Sequence, residues 1–140
     1  MNEPWTGAWR WLSEALNGRP TITSTRYCYL AVAKNRSPVA STPISDADAA
    51  ELFRGITGAG GGTLETTVKG DEWSQINANF VAHSPEHASS TVLRAVQVSG
   101  DDMAQQVLGP DGKVLADHHY VRITDAGDSE LAGAWELAGC

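Results

Sequence analysis

The stretch "SSTVLRAVQVSGDDMAQQVLGPDGKVLADHHYVRIT", residues 89–124, decides the fold class. It holds three apolar-rich runs, Ser89 to Gly100, Asp102 to Pro110 and Lys113 to Thr124. The joints between them, "VSGDDM" and "LGPDGKV", put Gly, Asp and Pro where tight hairpin turns need a positive or preset φ. Within the last run Leu115, Asp117, His119 and Val121 fall on one face and His118, Tyr120 and Arg122 on the other, the two-residue period of a strand. Regular antiparallel hairpins of this kind indicate an all-β barrel or sandwich.

Working outward, "GTLETTVKG" (62–70) sets Leu64, Thr66 and Val68 against Glu65, Thr67 and Lys69, and "WSQINANFVAH" (73–83) follows it. "TITSTRYCYLAVAK" (21–34) reads as a further strand, with Tyr27, Tyr29 and Ala31 on one face and Cys28, Leu30 and Val32 on the other. One segment breaks the pattern. In "SDADAAELFRGITGAGGG", Ser45 is an N-cap candidate, acids occupy the first turn, and Ala49, Leu52, Phe53 and Ile56 form an apolar stripe, so a short helix is expected. By analogy with open barrels it is expected to cover one end as a lid. The glycines Gly58 to Gly62 lack the spacing of a phosphate-cradling loop and read as a flexible connector. "TGAWRWLSEALNG" (6–18) fits two periods. Trp5, Ala8, Trp9, Leu12 and Leu16 have helical spacing, with Gly18 and Pro20 as a stop, whereas alternation puts Trp9 and Trp11 on one strand face. The tripeptide Gly-Ala-Trp recurs at Gly133, Ala134 and Trp135.

A chain of 140 residues matches one domain, spanning 1–140, and is long enough to bury a core without disulfides or metals. With 17 acidic and 10 basic residues the net charge is -7, and the lysines and arginines are scattered singly. Nucleic acid is therefore not an expected partner. No apolar run approaches the roughly 20 residues of a membrane span, and "MNEPWTGAW" lacks the basic and apolar regions of a signal peptide, so no membrane partner and a cytoplasmic location are expected. Cys28 and Cys140 are not expected to pair in that compartment, and Cys28, in an apolar run, is expected to be buried.

Taken in order, "TGAWRWLS", "RYCYLAVAKNRSPV", the helix "DADAAELFRG", "GTLETTVKGDEWSQINANFVA" and hairpins ending in "HHYVRI" resemble the bacterial lipocalin-like domain family over about residues 5–124. The resemblance implies an antiparallel lipocalin-like β-barrel of about eight strands with one short helix. It further implies that Gly7, Ala8 and Trp9 lie on the first strand, with the indole across the closed end of the barrel and Arg122 stacked on it. Under that reading Thr6 to Gly18 begins with a strand, and Gly133–Trp135 is expected beside the first strand as a closing strand or cap. The secretion signal and disulfides of secreted lipocalins are missing.

A barrel of eight strands has room inside for one small ligand, with every second residue facing it. On the last strand either His118 and Tyr120, or Asp117 and His119, would face the interior, and carboxylate, imidazole and phenol are the groups of acid–base catalysis. Glu65 is a second candidate base should its face turn inward, although solvent is the expected surrounding for Glu65 and Lys69. Gln75, Asn77 and Asn79 behind Trp73 suggest a polar cavity wall, with Tyr29 and Trp11 as aromatic contacts for a substrate. No metal site is expected, because Pro85 separates His83 from His87 and adjacent His118 and His119 point to opposite faces. No cofactor is expected either, and no Gly-x-Ser-x-Gly elbow occurs. The resemblance includes cofactor-free catalysts, so the first expectation is a cyclase, isomerase or hydrolase of natural-product metabolism acting on a small, largely apolar molecule. The alternative is a non-catalytic small-molecule carrier. A homodimer through the C-terminal segment is compatible with either.

Overall fold

The alternation that opens the reading of the chain becomes three consecutive strands, β6 (Thr91–Ser99), β7 (Asp102–Leu108) and β8 (Val114–Thr124), in the positions the turn residues mark. Gly100 and Gly112, with φ of 60° and 77°, supply the left-handed backbone those turns require. Five more strands precede them: β1 (Gly7–Trp11), β2 (Leu16–Ile22), β3 (Arg26–Ala33), β4 (Ile56–Lys69) and β5 (Glu72–Ala82). The computed structural model describes residues 3–36, 43–70 and 72–124. Each strand pairs antiparallel with the next, and β8 returns to β1, so the sheet is a closed eight-stranded barrel. Among the described residues one α-helix occurs, α1 (Asp46–Arg54), between β3 and β4, and the Ser45 side chain accepts a hydrogen bond from the Asp48 amide at 3.1 Å as its N-cap.

Several expectations are corrected by this topology. Of the two periods open for Thr6 to Gly18, the strand that the resemblance implied is the one formed: the segment is β1, a turn and the start of β2, the Ser13 hydroxyl accepts from the Leu16 amide at 3.2 Å, and Gly18 lies in mid-strand under the ring of Trp11. A Cβ on Gly18 would stand 2.9 Å from that ring, so the glycine that suggested a helix stop is there for close packing. Thr21 to Lys34 is two strands rather than one. Thr23 turns the chain by accepting from the Arg26 amide at 3.0 Å, a hydroxyl turn with no Gly or Pro to announce it. Gly58 to Gly62 is no connector: all five residues belong to β4, bonded between β3 and β5. A Cβ at Gly62 would stand 1.8 Å from the Ala78 carbonyl oxygen, and one at Gly60 would stand 2.7 Å from that of Val81. Those positions exclude side chains because β5 crosses so near, and a run without side chains has no visible alternation. Cys28 is exposed on the outer face rather than buried.

The helix does not act as a lid over the cavity described below, since none of its residues lines it. It is anchored at its C-terminal end, where Gly55 accepts from the Ala33 amide at 2.9 Å and Phe53 packs on His83 with ring centres 4.2 Å apart. β8 closes the barrel on β1; the expected closing strand or cap at Gly133, Ala134 and Trp135, and Cys140, lie outside the described residues. No helix among the described residues is long and apolar enough to cross a membrane.

One end of the barrel is solid. Trp5, Trp9, Ile22, Leu64, Val96, Met103 and Tyr120 form the buried core, with Trp9 wholly inaccessible to solvent. The Trp9 indole donates to the Trp5 carbonyl at 2.9 Å, and Trp73 meets Trp5 edge-on at 5.4 Å. Over the Trp9 ring, 4.2 Å from its centre, sits the Arg122 guanidinium, as the family resemblance implied. Arg122 also donates to the carbonyls of Thr6 and Pro4 and pairs with Asp101 at 3.2 Å. Replacing Arg122 by Met is expected to lower unfolding stability in urea by roughly 3 kcal/mol, because the cation–π contact and the donors to two carbonyls go together. Asp101→Asn is expected to change it by less than about 0.5 kcal/mol, since that carboxylate is exposed.

Candidate functional site

Above the core the barrel is hollow. A cavity of about 300 Å³ lies between the strands, and Ile22, Leu64 and Tyr120 are both its floor and the upper surface of the core. Strand alternation decides what else faces it. On β3, Tyr27, Tyr29 and Ala31 point inward, and on β2 Leu16, Gly18 and Pro20 do so. The glycines of β4 leave space that Tyr29 takes, its ring 3.3 Å from where a Cβ of Gly58 would be. A barrel that carried side chains at those positions would have less room inside.

Most of the deeper polar lining comes from four adjacent strands, β5 to β8, while Tyr27 and Tyr29 on β3, Thr57 on β4 and the exposed Arg19 and His87 also face the cavity. Gln75 and Asn77 on β5, Arg94 on β6, Gln105 on β7 and His118 and Tyr120 on β8 all line it. Register explains their meeting: Gln75 is the cross-strand partner of Arg94, Gln105 that of His118, and Tyr120 that of Trp11. His118 packs its ring against Trp11, with centres 4.5 Å apart, and its Nδ1 is 3.3 Å from the Tyr120 hydroxyl. Arg94 donates to the Gln105 side-chain carbonyl at 3.2 Å, and Gln75 donates to the Thr66 hydroxyl at 3.4 Å. Asn77 Oδ1 is buried with no hydrogen-bond partner among the described residues.

Of the residues singled out from the sequence, the cavity brings together Trp11, Tyr29, Gln75, Asn77, His118 and Tyr120. Asp117, His119 and Glu65 are corrected. All three are exposed on the outer face, because the two-residue period that turns His118 and Tyr120 inward turns their neighbours outward. Asp117 accepts there from Gln106 at 3.1 Å. Trp73 and Asn79 point inward on β5 but do not line the cavity. Trp73 packs on the core at the closed end, and Asn79 is engaged by the Tyr27 hydroxyl and by Ser90 at 2.7 Å. Arg94, Gln105 and Tyr27 were not singled out. For Arg94 a signal existed: in "TVLRAVQV" it shares a face with Val92, Val96 and Val98, a lone cation on an apolar stripe.

Burial sets the charge states. It holds His118 below the usual imidazole pKa, helped by the Arg94 and His119 charges and opposed by Asp117. It raises Tyr120, and it pushes Tyr27 up to about 12, with Tyr29 adding to the rise and Arg94 opposing it. At neutral pH both phenols and the imidazole are uncharged, while Arg94 is a cation. Among the described residues no group of three or more His, Cys, Asp or Glu side chains is placed to hold a metal.

Compared with known proteins, the chain matches no family model, no curated sequence and no solved structure. Its chemistry is therefore read from the cavity alone.

Because His118 resists protonation in the fold, the unfolded chain takes up its proton first as pH falls below about 6.5. Stability should decline from there down to the lower native pKa, and His118→Gln should flatten that part of a urea-unfolding profile against pH. In NMR titration the His118 ring is expected to show a midpoint below 6.5, the ordinary value, and Arg94→Met should move it upward. A midpoint above the ordinary value would contradict the burial account.

Proposed function

We propose that this chain binds a small, largely apolar organic molecule inside the barrel. The observation that carries the reading is the cavity of about 300 Å³, closed below by the Trp9 core and walled by aromatic rings with a few converging polar groups. Concave, mostly apolar sites with a small number of orienting hydrogen-bonders are what ligands of that size occupy. The stacking of Arg122 on Trp9 supports the accompanying proposal that the barrel is lipocalin-like.

A second reading, a cofactor-free enzyme such as a cyclase, isomerase or hydrolase, is favoured by one feature. His118, neutral and facing the cavity, has the Tyr120 hydroxyl at 3.3 Å. With its Nδ1 held by that phenol, the remaining ring nitrogen is the group able to take or give a proton to a guest, and the walls would hold the guest in a reactive shape. The alternative pair, Asp117 with His119, is not the basis of this reading, because both lie on the outer face of the barrel.

Occupancy is testable with N-phenyl-1-naphthylamine, a neutral fluorophore that brightens in apolar surroundings. The native protein is expected to bind it, and Ala31→Phe to weaken that binding by about tenfold or more. Ala31 is buried in the cavity wall, so the larger ring occupies the guest's space; Ala31→Leu is the milder step should the ring overpack. Unchanged binding in both variants would place the dye elsewhere and refute the cavity reading. Native mass spectrometry of protein from its source identifies the natural guest. His118→Gln and Tyr120→Phe then separate the two readings: an enzyme loses product formation, a carrier only shifts in affinity.

A further inference from the structure

We infer that the guest is an organic anion, a small apolar or aromatic molecule bearing one carboxylate, and that Arg94 is the residue that binds this group. The inference rests on the cavity reading above and extends it to the charge of the ligand. Arg94 projects from the middle of β6 into the cavity, partly buried, and has no carboxylate partner among the described residues. Its one side-chain hydrogen bond there goes to the neutral carbonyl of Gln105. A guanidinium carries five N–H donors, so several remain to meet a guest.

The rest of the lining sharpens the point. Not one Asp or Glu side chain is among the described residues that line the cavity, although the chain carries 17 acids against 10 bases. Asp117 and Glu65, next in sequence to lining positions, face outward. Tyr27, Gln75, Gln105, His118 and Tyr120 surround Arg94 with neutral groups, and the guanidinium is near enough to influence the titration of Tyr27, His118 and Tyr120 on two other strands. A fixed cation partly withdrawn from water without a counter-charge is unfavourable for folding alone. An anionic guest would supply the missing charge, and a planar carboxylate matches the paired N–H groups of the guanidinium.

Asn77 offers an independent indication of a polar guest. Asn77 lines the same cavity, and its Oδ1 is buried and unpaired among the described residues. A buried acceptor left without a donor is uncommon, and a hydroxyl or N–H elsewhere on the ligand would satisfy it.

The test uses a pair of probes of equal size, 1-naphthylacetate and 1-naphthylacetamide, titrated calorimetrically into the full-length protein at neutral pH. The acid is expected to bind about tenfold or more tightly than the amide. Arg94→Met should erase that preference, the neutral dye still binding to show the cavity intact. Should the Met variant not fold, Arg94→Gln is expected to behave in the same way. Equal affinity for the two probes in the native protein, or a preference for the acid that survives loss of Arg94, would overturn the assignment while leaving an apolar cavity intact. Failure of either probe to bind, together with failure of the neutral dye, would overturn the cavity reading itself.

Discussion

The contact on which the molecule depends is the guanidinium of Arg122 lying on the indole of Trp9. It joins the last strand to the first and ties both to the N-terminal segment through the Pro4 and Thr6 carbonyls. A sheet of eight strands has two edges until its ends meet, and each edge exposes unpaired backbone. Fixing that seam removes the edges, and with Trp9 wholly buried beneath it the same contact seals one end of the barrel. The cavity exists because the core fills only that end.

Above the seal the interior is shaped by what the strands omit as much as by what they carry. Gly18 accommodates Trp11, the glycines of β4 accommodate Tyr29 and the approach of β5, and the remaining volume is the cavity. Trp11, held over Gly18, then supports His118 through ring contact. Side chains that touch the proposed guest are thus positioned by packing against strand backbone rather than by loops, and such placement is more exact than a loop provides.

Charge is distributed with equal consequence. The acids described on β4 and β8 lie on the outside, and of the two arginines that line the cavity Arg19 is exposed whereas Arg94 is partly buried among neutral hydrogen-bonders. Burial suppresses the proton-binding of His118 and the ionisation of Tyr27 and Tyr120, and the guanidinium that acts on all three groups is that of Arg94. That separation of an acidic exterior from a basic interior is the property that directs the proposal of an anionic guest.

The sequence by itself determined the all-β class, the hairpins from Thr91 to Thr124, the helix at Asp46–Arg54 and the shared face of Tyr27, Tyr29 and Ala31. Each is a local matter of turn chemistry, capping or a two-residue period, legible within a dozen residues. The same alternation offered His118 with Tyr120 or Asp117 with His119 but not the choice between them, because a strand has two faces and only closure says which is inside. Tertiary structure alone made that choice, turned Glu65 and Cys28 outward, and converted a glycine run without visible period into the middle of the barrel wall. It also gathered Gln75, Arg94, Gln105 and His118, one from each of four successive strands, around one space. No local pattern encodes that meeting, since it depends on the register of four strands summed around a closed cylinder.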